Sequence, residues 1–343
     1  MAGVSVGTVD RVIHGRSGVS EASRKRVEEI LKQLDYQPNM YASALASNKR
    51  YTFACLLPQH EAEEYWTDVE KGIDDAVKAY SDFNVAVTLV YYDPYDYHSF
   101  VEASRRLLSQ EPDGVLLAPT VPLYTKPFTD ELENRDTPYI YIDSNIREGK
   151  ALSFFGQNSF RSGYFAARML MLLAGEQAKE VVIFRKINAG IVGSNQQERR
   201  EIGFREYMQI HHPACRIWGL DLHAKSDAKD TQMLDDFFRA HPGVKNGITF
   251  NSKAYIIGEY LQEHGSHDFN LMGYDLLRRN VECLKQGSIF FLIAQQPVLQ
   301  GFDGIKALCD HLILKKPVER ENFMPVDLLT KENIDFYSSA KRM

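Results

Sequence analysis

Apolar residues change their rhythm near residue 51. Before that point they recur at spacings of three to five. Val4, Thr8, Val9, Val12 and Ile13 share one face of a short helix over Val4 to Ile13, with Ser5 as its candidate N-cap. His14-Gly15-Arg16-Ser17-Gly18 stops it. A second helix begins at the cap Ser20 and carries the stripe Val27, Ile30, Leu31 and Leu34. Pro38 ends that region, because it cannot continue a hydrogen-bonded helix. Residues 39–47 are alanine-rich and predict about two helical turns, too few to be stable without a partner.

From Tyr51 onward, short apolar runs alternate with amphipathic stretches. Strands are predicted at Thr52 to Pro58, Val85 to Val90, Gly114 to Ala118 and Pro138 to Asp143, with helices over 64–80 and 98–109 between them. A helix over 159–174 precedes a strand at Glu180 to Phe184, and the alternation restarts. Gly247 to Phe250 and Asn270 to Tyr274 are later strands. Strands that are apolar throughout belong to parallel sheets covered on both faces. The pattern runs twice, which predicts an α/β chain: two doubly wound parallel-sheet lobes preceded by a small all-α headpiece.

Length and composition agree with that division. The 343 residues, 44% hydrophobic and 25% charged, suffice for two or three domains with a large core. No apolar run reaches the ~18 residues of a membrane span, and the start is too polar for a secretory signal. Cys55, Cys215, Cys283 and Cys309 are scattered, with no C-x-x-C pair, so reduced thiols and a cytoplasmic location are expected. No His, Cys and Asp cluster has ligand spacing, so neither a metal nor a cofactor is expected. His60, His98, His211 and His212 read as solvated surface residues. Charge is uneven: residues 1–50 carry eight Lys and Arg against five Asp and Glu, +3, while the whole chain is −6. A basic start on an acidic body suggests a polyanion contact confined to the N-terminus.

Three segments of that start are more specific. A-G-V-S-V-G-T-V-D-R-V at 2–12, V-S-E-A-S-R-K-R-V at 19–27 and Y-Q-P-N-M-Y-A-S-A-L-A at 36–46 stand in a fixed order and spacing. Together they resemble the turn and recognition helix, the third helix and the hinge helix of the LacI/GalR family of bacterial transcription regulators. The resemblance extends more loosely through the rest of the chain, to the family's periplasmic-binding-protein-like (type I) sugar sensor. It implies that Val6, Gly7 and Arg11 face base edges in the major groove. Arg11 is placed for a bidentate contact to guanine, and Gly7, lacking a side chain, is only permissive. Ser5 and Thr8 would touch phosphates. Leu45 would wedge into the minor groove, with Asn39 and Ala42 beside it. Asp10 departs from the serine common at its place. A helix precedes this turn in the family, whereas the sequence starts at Met1. The headpiece is therefore expected to lack its first helix: either the true start lies upstream of Met1, the favoured reading, or this product binds DNA poorly.

On this reading residues 1–37 are a partial helix-turn-helix headpiece, 38–50 a hinge helix and linker, and 51–343 the sensor. One lobe spans about 51–152 and 296–324, the other about 153–295 and 325–343, with crossings near 152–156, 292–296 and 323–328. Ligands of such sheets bind beyond the carboxyl ends of strands. The polar residues there are Gln59, Asp143, Ser144, Asn251, Ser252, Asp275 and Gln295, with Gln157 a weaker candidate. Arg200, in N-Q-Q-E-R-R-E-I-G-F, resembles the family arginine that holds sugar hydroxyls. Asp143, Asn251, Asp275 and Gln295 also fall on family effector positions. Charged and amide groups suit hydroxyl-rich ligands, since each hydroxyl both donates and accepts. Tyr65 and Trp66 open the first sensor helix, where a ring could stack on a sugar face.

The resemblance thus implies a homodimeric repressor that binds operator DNA under the control of a small polar effector, a carbohydrate, lodged between two lobes. The alternative is a solute-binding protein, which would need export and would leave residues 1–50 without a role. An enzyme with a nucleotide-binding sheet is a third reading. The chain has no G-x-G-x-x-G after a strand, no phosphate loop and no G-x-S-x-G, so no enzyme is expected.

Overall fold

The computed structural model describes residues 2–13, 17–34, 41, 49–146, 149–175, 178–188, 194–223, 227–265 and 268–340. Two short helices come first, α1 (Val6–Ile13) and α2 (Glu21–Gln33). The helix expected from Val4 begins at Val6, because Ser5 stays outside it as the cap. The Ser5 carbonyl accepts from the N–H groups of Thr8 and Val9, and its hydroxyl lies 2.9 Å from Thr8 Oγ1. Gly3 ahead of it adopts a left-handed φ of 60°, where a side chain would be strained. Ser20 caps α2 by accepting from Ser23 N–H. Val12 and Val27 are the buried residues of the pair.

From Tyr51 the chain builds two six-stranded sheets. The first lobe contains β1 (Tyr51–Pro58), α3 (Tyr65–Ala79), β2 (Val85–Tyr92), α4 (Tyr97–Leu108), β3 (Gly114–Leu117), α5 (Pro122–Asn134), β4 (Tyr139–Ile142) and β5 (Ser153–Gly156). The second contains α6 (Ser159–Ala174), β6 (Glu180–Ile187), α7 (Asn195–His211), β7 (Arg216–His223), α8 (Asp227–Ala240), β8 (Asn246–Thr249), α9 (Tyr255–Glu263), β9 (Asn270–Tyr274), α10 (Arg278–Gln286) and β10 (Phe291–Ala294). The chain then returns to the first lobe for α11 (Pro297–Leu312) and β11 (Glu321–Phe323), and ends in the second with β12 (Asp327–Leu329) and α12 (Ile334–Ala340). Strand order is β11-β5-β4-β3-β1-β2 in one sheet and β12-β10-β9-β8-β6-β7 in the other, the same topology twice. Each sheet carries a packed apolar cluster on both faces, which is why its inner strands read as unbroken apolar runs.

Two details differ from expectation. Ser153–Gly156 pairs with β4 in the first sheet, so the first crossing falls at Gln157 and not at the 152/153 boundary. The strands are also not all parallel: β12 runs antiparallel to β10. β11 runs parallel to β5 and so points at the space between the lobes. A three-residue crossing, 324–326, then enters the second sheet from that same end, and β12 can only run away from it. The other crossings pass at 157–158 and 295–296, so all three lie at the carboxyl ends of the strands.

Helix pairs brace each lobe by backbone contact. A Cβ on Gly163 of α6 would sit 1.9 Å from the Arg200 carbonyl oxygen of α7, and one on Gly203 would sit 2.0 Å from the Phe160 carbonyl. Only glycine permits that approach. Gly72 and Gly301 bring α3 and α11 together in the same way in the first lobe.

Candidate functional site

The carboxyl ends of both sheets face one another across a cleft with a cavity of about 430 Å³. Most of the sensor residues expected to meet a ligand line it, among them Gln59, Trp66, Asp143, Arg200, Asn251, Asp275 and Gln295, whereas Ser144 and Gln157 do not. The repeated topology explains the two aspartates. Asp143 follows β4 and Asp275 follows β9, its counterpart in strand order. Both take a left-handed φ, 65° and 70°, and each N–H donates to a carbonyl on the adjacent strand, Phe155 and Ile293. The turn swings each carboxyl out of its sheet and into the cleft.

A buried network joins the lobes on the cleft floor. Gln196 Nε2 donates to Asp143 Oδ1 at 2.7 Å and to Gln295 Oε1 at 2.7 Å. Gln295 Nε2 donates to Asp275 Oδ1 at 2.6 Å. Arg200, 1% exposed, donates through Nη2 to Gln295 Oε1 and through Nη1 to the Phe250 carbonyl at 3.0 Å. Its guanidinium lies 3.9 Å over the Tyr274 ring. Among the described residues, Arg200 Nε and the Tyr65 hydroxyl are buried on this floor without a hydrogen bond of good geometry, the hydroxyl standing close to the Asp143 carboxyl. Buried polar groups are nearly always paired, so both are open positions for a ligand's oxygen atoms. Burial pushes Asp143 up to about 6 and Asp275 up to about 7. The nearby Arg200 works against burial in both, without offsetting it.

Other groups support these residues. Gln300 on α11 accepts from Asp143 N–H and donates to the Gln295 carbonyl. Asn280, fully buried, donates to the carbonyls of Ser252, Tyr274 and Asp275 and so ties the segments after β8 and β9 together. Asn251 turns its Oδ1 onto Lys253 N–H. At the mouth, Lys253 pairs with Glu64 and Arg278 with Glu63 at 3.2 Å, and both pairs span the lobes. Trp66 packs edge-on to Tyr65, ring centroids 5.1 Å apart, and joins the first lobe's core.

Several residues have other places than expected. Gln157 does not line the cavity. Its amide donates to the carbonyls of Ala294 and Pro325, pinning the three crossings to one another. Ser144 is held by Asn195 Nδ2 from the opposite lobe. His60, expected at the surface, has a side chain only 9% exposed; it lines the cavity and pairs with Glu70 at 3.2 Å. Gln196 was missed, though it stands four residues before Arg200 and so on the same face of α7.

In the headpiece, Ser5, Val6, Gly7 and Arg11 are exposed and Thr8 is half-buried, so the start of α1 presents a free surface. Val6 is 87% exposed. Asn39, Ala42 and Leu45 lie outside the described residues. Among the described residues no helix is long and apolar enough to cross a membrane, and no group of three His, Cys, Asp or Glu could hold a metal ion.

Comparison with known proteins matches both parts of the chain. Residues 53–316 match the family model of the periplasmic binding protein domain, and residues 1–39 match that of bacterial regulatory proteins, lacI family. A solved structure from Bacteroides fragilis, described as a LacI transcriptional regulator, is 65% identical; the match covers 84% of this chain and all of that one, with a TM-score of 0.82. Catabolite control protein A of Streptococcus mutans is 36% identical over 115 residues, 34% of this chain and 33% of that protein. The chain spans about a third of the length of the curated relatives it matches. A carbohydrate transporter solute-binding protein from Agrobacterium radiobacter, solved with D-arabinose, is 22% identical over 86% of this chain with a TM-score of 0.72, a likeness of fold alone.

Proposed function

Because the chain belongs to the LacI family of bacterial regulatory proteins, with a periplasmic-binding-protein-like domain behind its helix-turn-helix segment, we propose that it is a cytoplasmic transcription regulator whose operator affinity is set by a sugar-like effector bound between its lobes. The observation that carries this reading is the buried polar floor that links Asp143, Gln196, Gln295, Asp275 and Arg200 across two lobes, with two orphaned polar atoms. A hydroxyl accepts from Arg200 and donates to a carboxylate at once, so a polyol completes such a floor.

In this proposal two protomers pair through their sensors and present two α1 helices to half-sites about one or more helical turns apart. Arg11 reads a base edge, and Ser5 and Thr8 fix the register on phosphates. A ligand touching both walls favours one angle between the lobes. The three crossings pinned by Gln157 form the hinge about which that angle changes. A coupling of ~1–3 kcal/mol gives roughly 5–150-fold control of DNA binding.

Trp66 stands in the cavity wall, so its fluorescence reports on the site. A monosaccharide panel titrated against this signal should give a saturable change with at least one sugar and no turnover. A sugar that binds an Arg200→Met, Asp275→Asn double variant as tightly as it binds the wild type would remove the cleft from the proposal.

A further inference from the structure

The charge of the cleft narrows the class of sugar, an inference that rests on the proposed reading of this site. Five carboxyl groups line the cavity, Glu61, Glu64, Asp93, Asp143 and Asp275, against three cations, Lys186, Arg200 and Lys253. Lys253 is engaged by Glu64 at the mouth. On the floor, among the described residues, no ion pair joins Arg200 to either aspartate. Gln295 stands between them, accepting from Arg200 and donating to Asp275. Each aspartate is therefore held through Oδ1 by an amide, Asp143 by Gln196 and Asp275 by Gln295. Asp275 is 5% exposed and lines the cavity, and its Oδ2 accepts no hydrogen bond from the described residues.

A buried carboxylate in excess of its cations is costly unless a partner arrives. Burial accordingly raises Asp275 toward 7, and Arg200 nearby does not offset it. The Arg200 Nε donor, on a residue 1% exposed, has no partner among the described residues and needs an oxygen on the same floor, and the Tyr65 hydroxyl beside Asp143 can accept as well as donate. From this combination we infer that the effector is an amino sugar, with its ammonium on Asp275 Oδ2 and its hydroxyl oxygens on Arg200 Nε and the Tyr65 hydroxyl. Sugar acids and sugar phosphates would add negative charge to a floor already in excess, and are rejected. The N-acetyl derivative loses the ammonium and with it the advantage.

Isothermal titration of the full chain near pH 7 tests this with D-glucosamine, D-galactosamine and D-mannosamine, their neutral parents, their N-acetyl forms, D-glucuronate and glucose 6-phosphate. One amine should bind at least ~10-fold tighter than its neutral parent, the scale of a hydrogen bond between charged groups. Asp275→Asn keeps the shape, and asparagine tolerates the left-handed φ of 70°. In D275N the amine and its parent should bind alike. A neutral parent that equals its amine in the wild type, or an acid that binds tighter, overturns the inference and leaves the sugar-sensor reading standing. A panel with no ligand at all overturns both.

Discussion

Gly163→Ala places one methyl group where α6 meets α7. Its Cβ would lie 1.9 Å from the Arg200 carbonyl oxygen and 2.6 Å from the carbonyl carbon. Real Cβ atoms essentially never approach closer than 3.0 Å, so the two helices must part by about 1 Å, since packed interiors hold no slack to absorb it. Both neighbours are backbone, and no flexible side-chain end can give way. Overpacking of this kind costs about 1–3 kcal/mol. The displaced turn carries Arg200, whose Nη1 reaches the Phe250 carbonyl at 3.0 Å. An extra ångström takes that bond beyond hydrogen-bonding distance. A hydrogen bond to a charged group contributes ~1.5–3 kcal/mol, so a sugar oriented by Arg200 should bind ~10–150-fold more weakly. Chemical denaturation and calorimetric sugar titration measure the two effects separately. Gly301→Ala, whose Cβ would meet the Val69 carbonyl oxygen at 2.1 Å in the other lobe, should cost comparable stability, and because α11 also carries Gln300, which supports Asp143 and Gln295, it should weaken sugar binding from the other wall. G163A with wild-type sugar affinity would refute the idea that this glycine sets the position of Arg200.

The two cleft aspartates make stability depend on pH. Burial raises Asp143 to about 6 and Asp275 to about 7 from an unfolded value of 3.8, so their contribution is fully present below about pH 4 and is lost as pH rises from there through 6 and 7. The empty protein should lose denaturant resistance over that interval, Asp275→Asn should flatten the profile, and an unchanged profile in the variant would contradict the assignment. Sugars whose hydroxyls donate to the ionised carboxylates should release protons on binding below about pH 7, seen as a buffer-dependent heat; equal heats in all buffers would argue against contact with them. Glu64→Gln removes an interlobe ion pair whose side chains are 28% and 22% exposed, a loss of ~1 kcal/mol or less. Small-angle scattering should show a more open empty form and the same liganded form, and an unchanged empty form would remove the pair from the closing device. Arg11→Ala should cost ~1–3 kcal/mol on an operator selected from random duplexes and far less on unselected DNA; equal losses on both would show a phosphate contact only.

The strand ends could be read from the chain because their rule is general. Asp143, Asn251, Asp275 and Gln295 each follow an apolar run, and parallel strands deliver whatever follows them to one edge. Arg200 was reached through its resemblance, since nothing in the pattern of α7 marks an arginine as buried. Gln196 had a signal in its i, i+4 spacing to Arg200, but an amide near a helix start reads as solvated until the opposite lobe covers it. His60 reads as solvated for the same reason, since its partner Glu70 lies ten residues on in α3 and meets it only in the folded lobe. The hinge was legible only to within a few residues. Whether Ser153–Gly156 belongs to the first lobe or the second depends on pairing with β4, which periodicity alone does not express. The reversed β12 follows from the direction in which the last crossing enters its sheet, again a property of the assembled lobes.

Linkage between cleft and headpiece is what a sensor of this kind requires. Fluorescence anisotropy on the selected operator duplex should give a DNA Kd that changes ~5–150-fold when the cleft is saturated with its sugar, and the operator should change the sugar's Kd by the same factor. A cleft that fills with sugar while the DNA Kd stays constant, with the sugar's Kd equally indifferent to DNA, would contradict it.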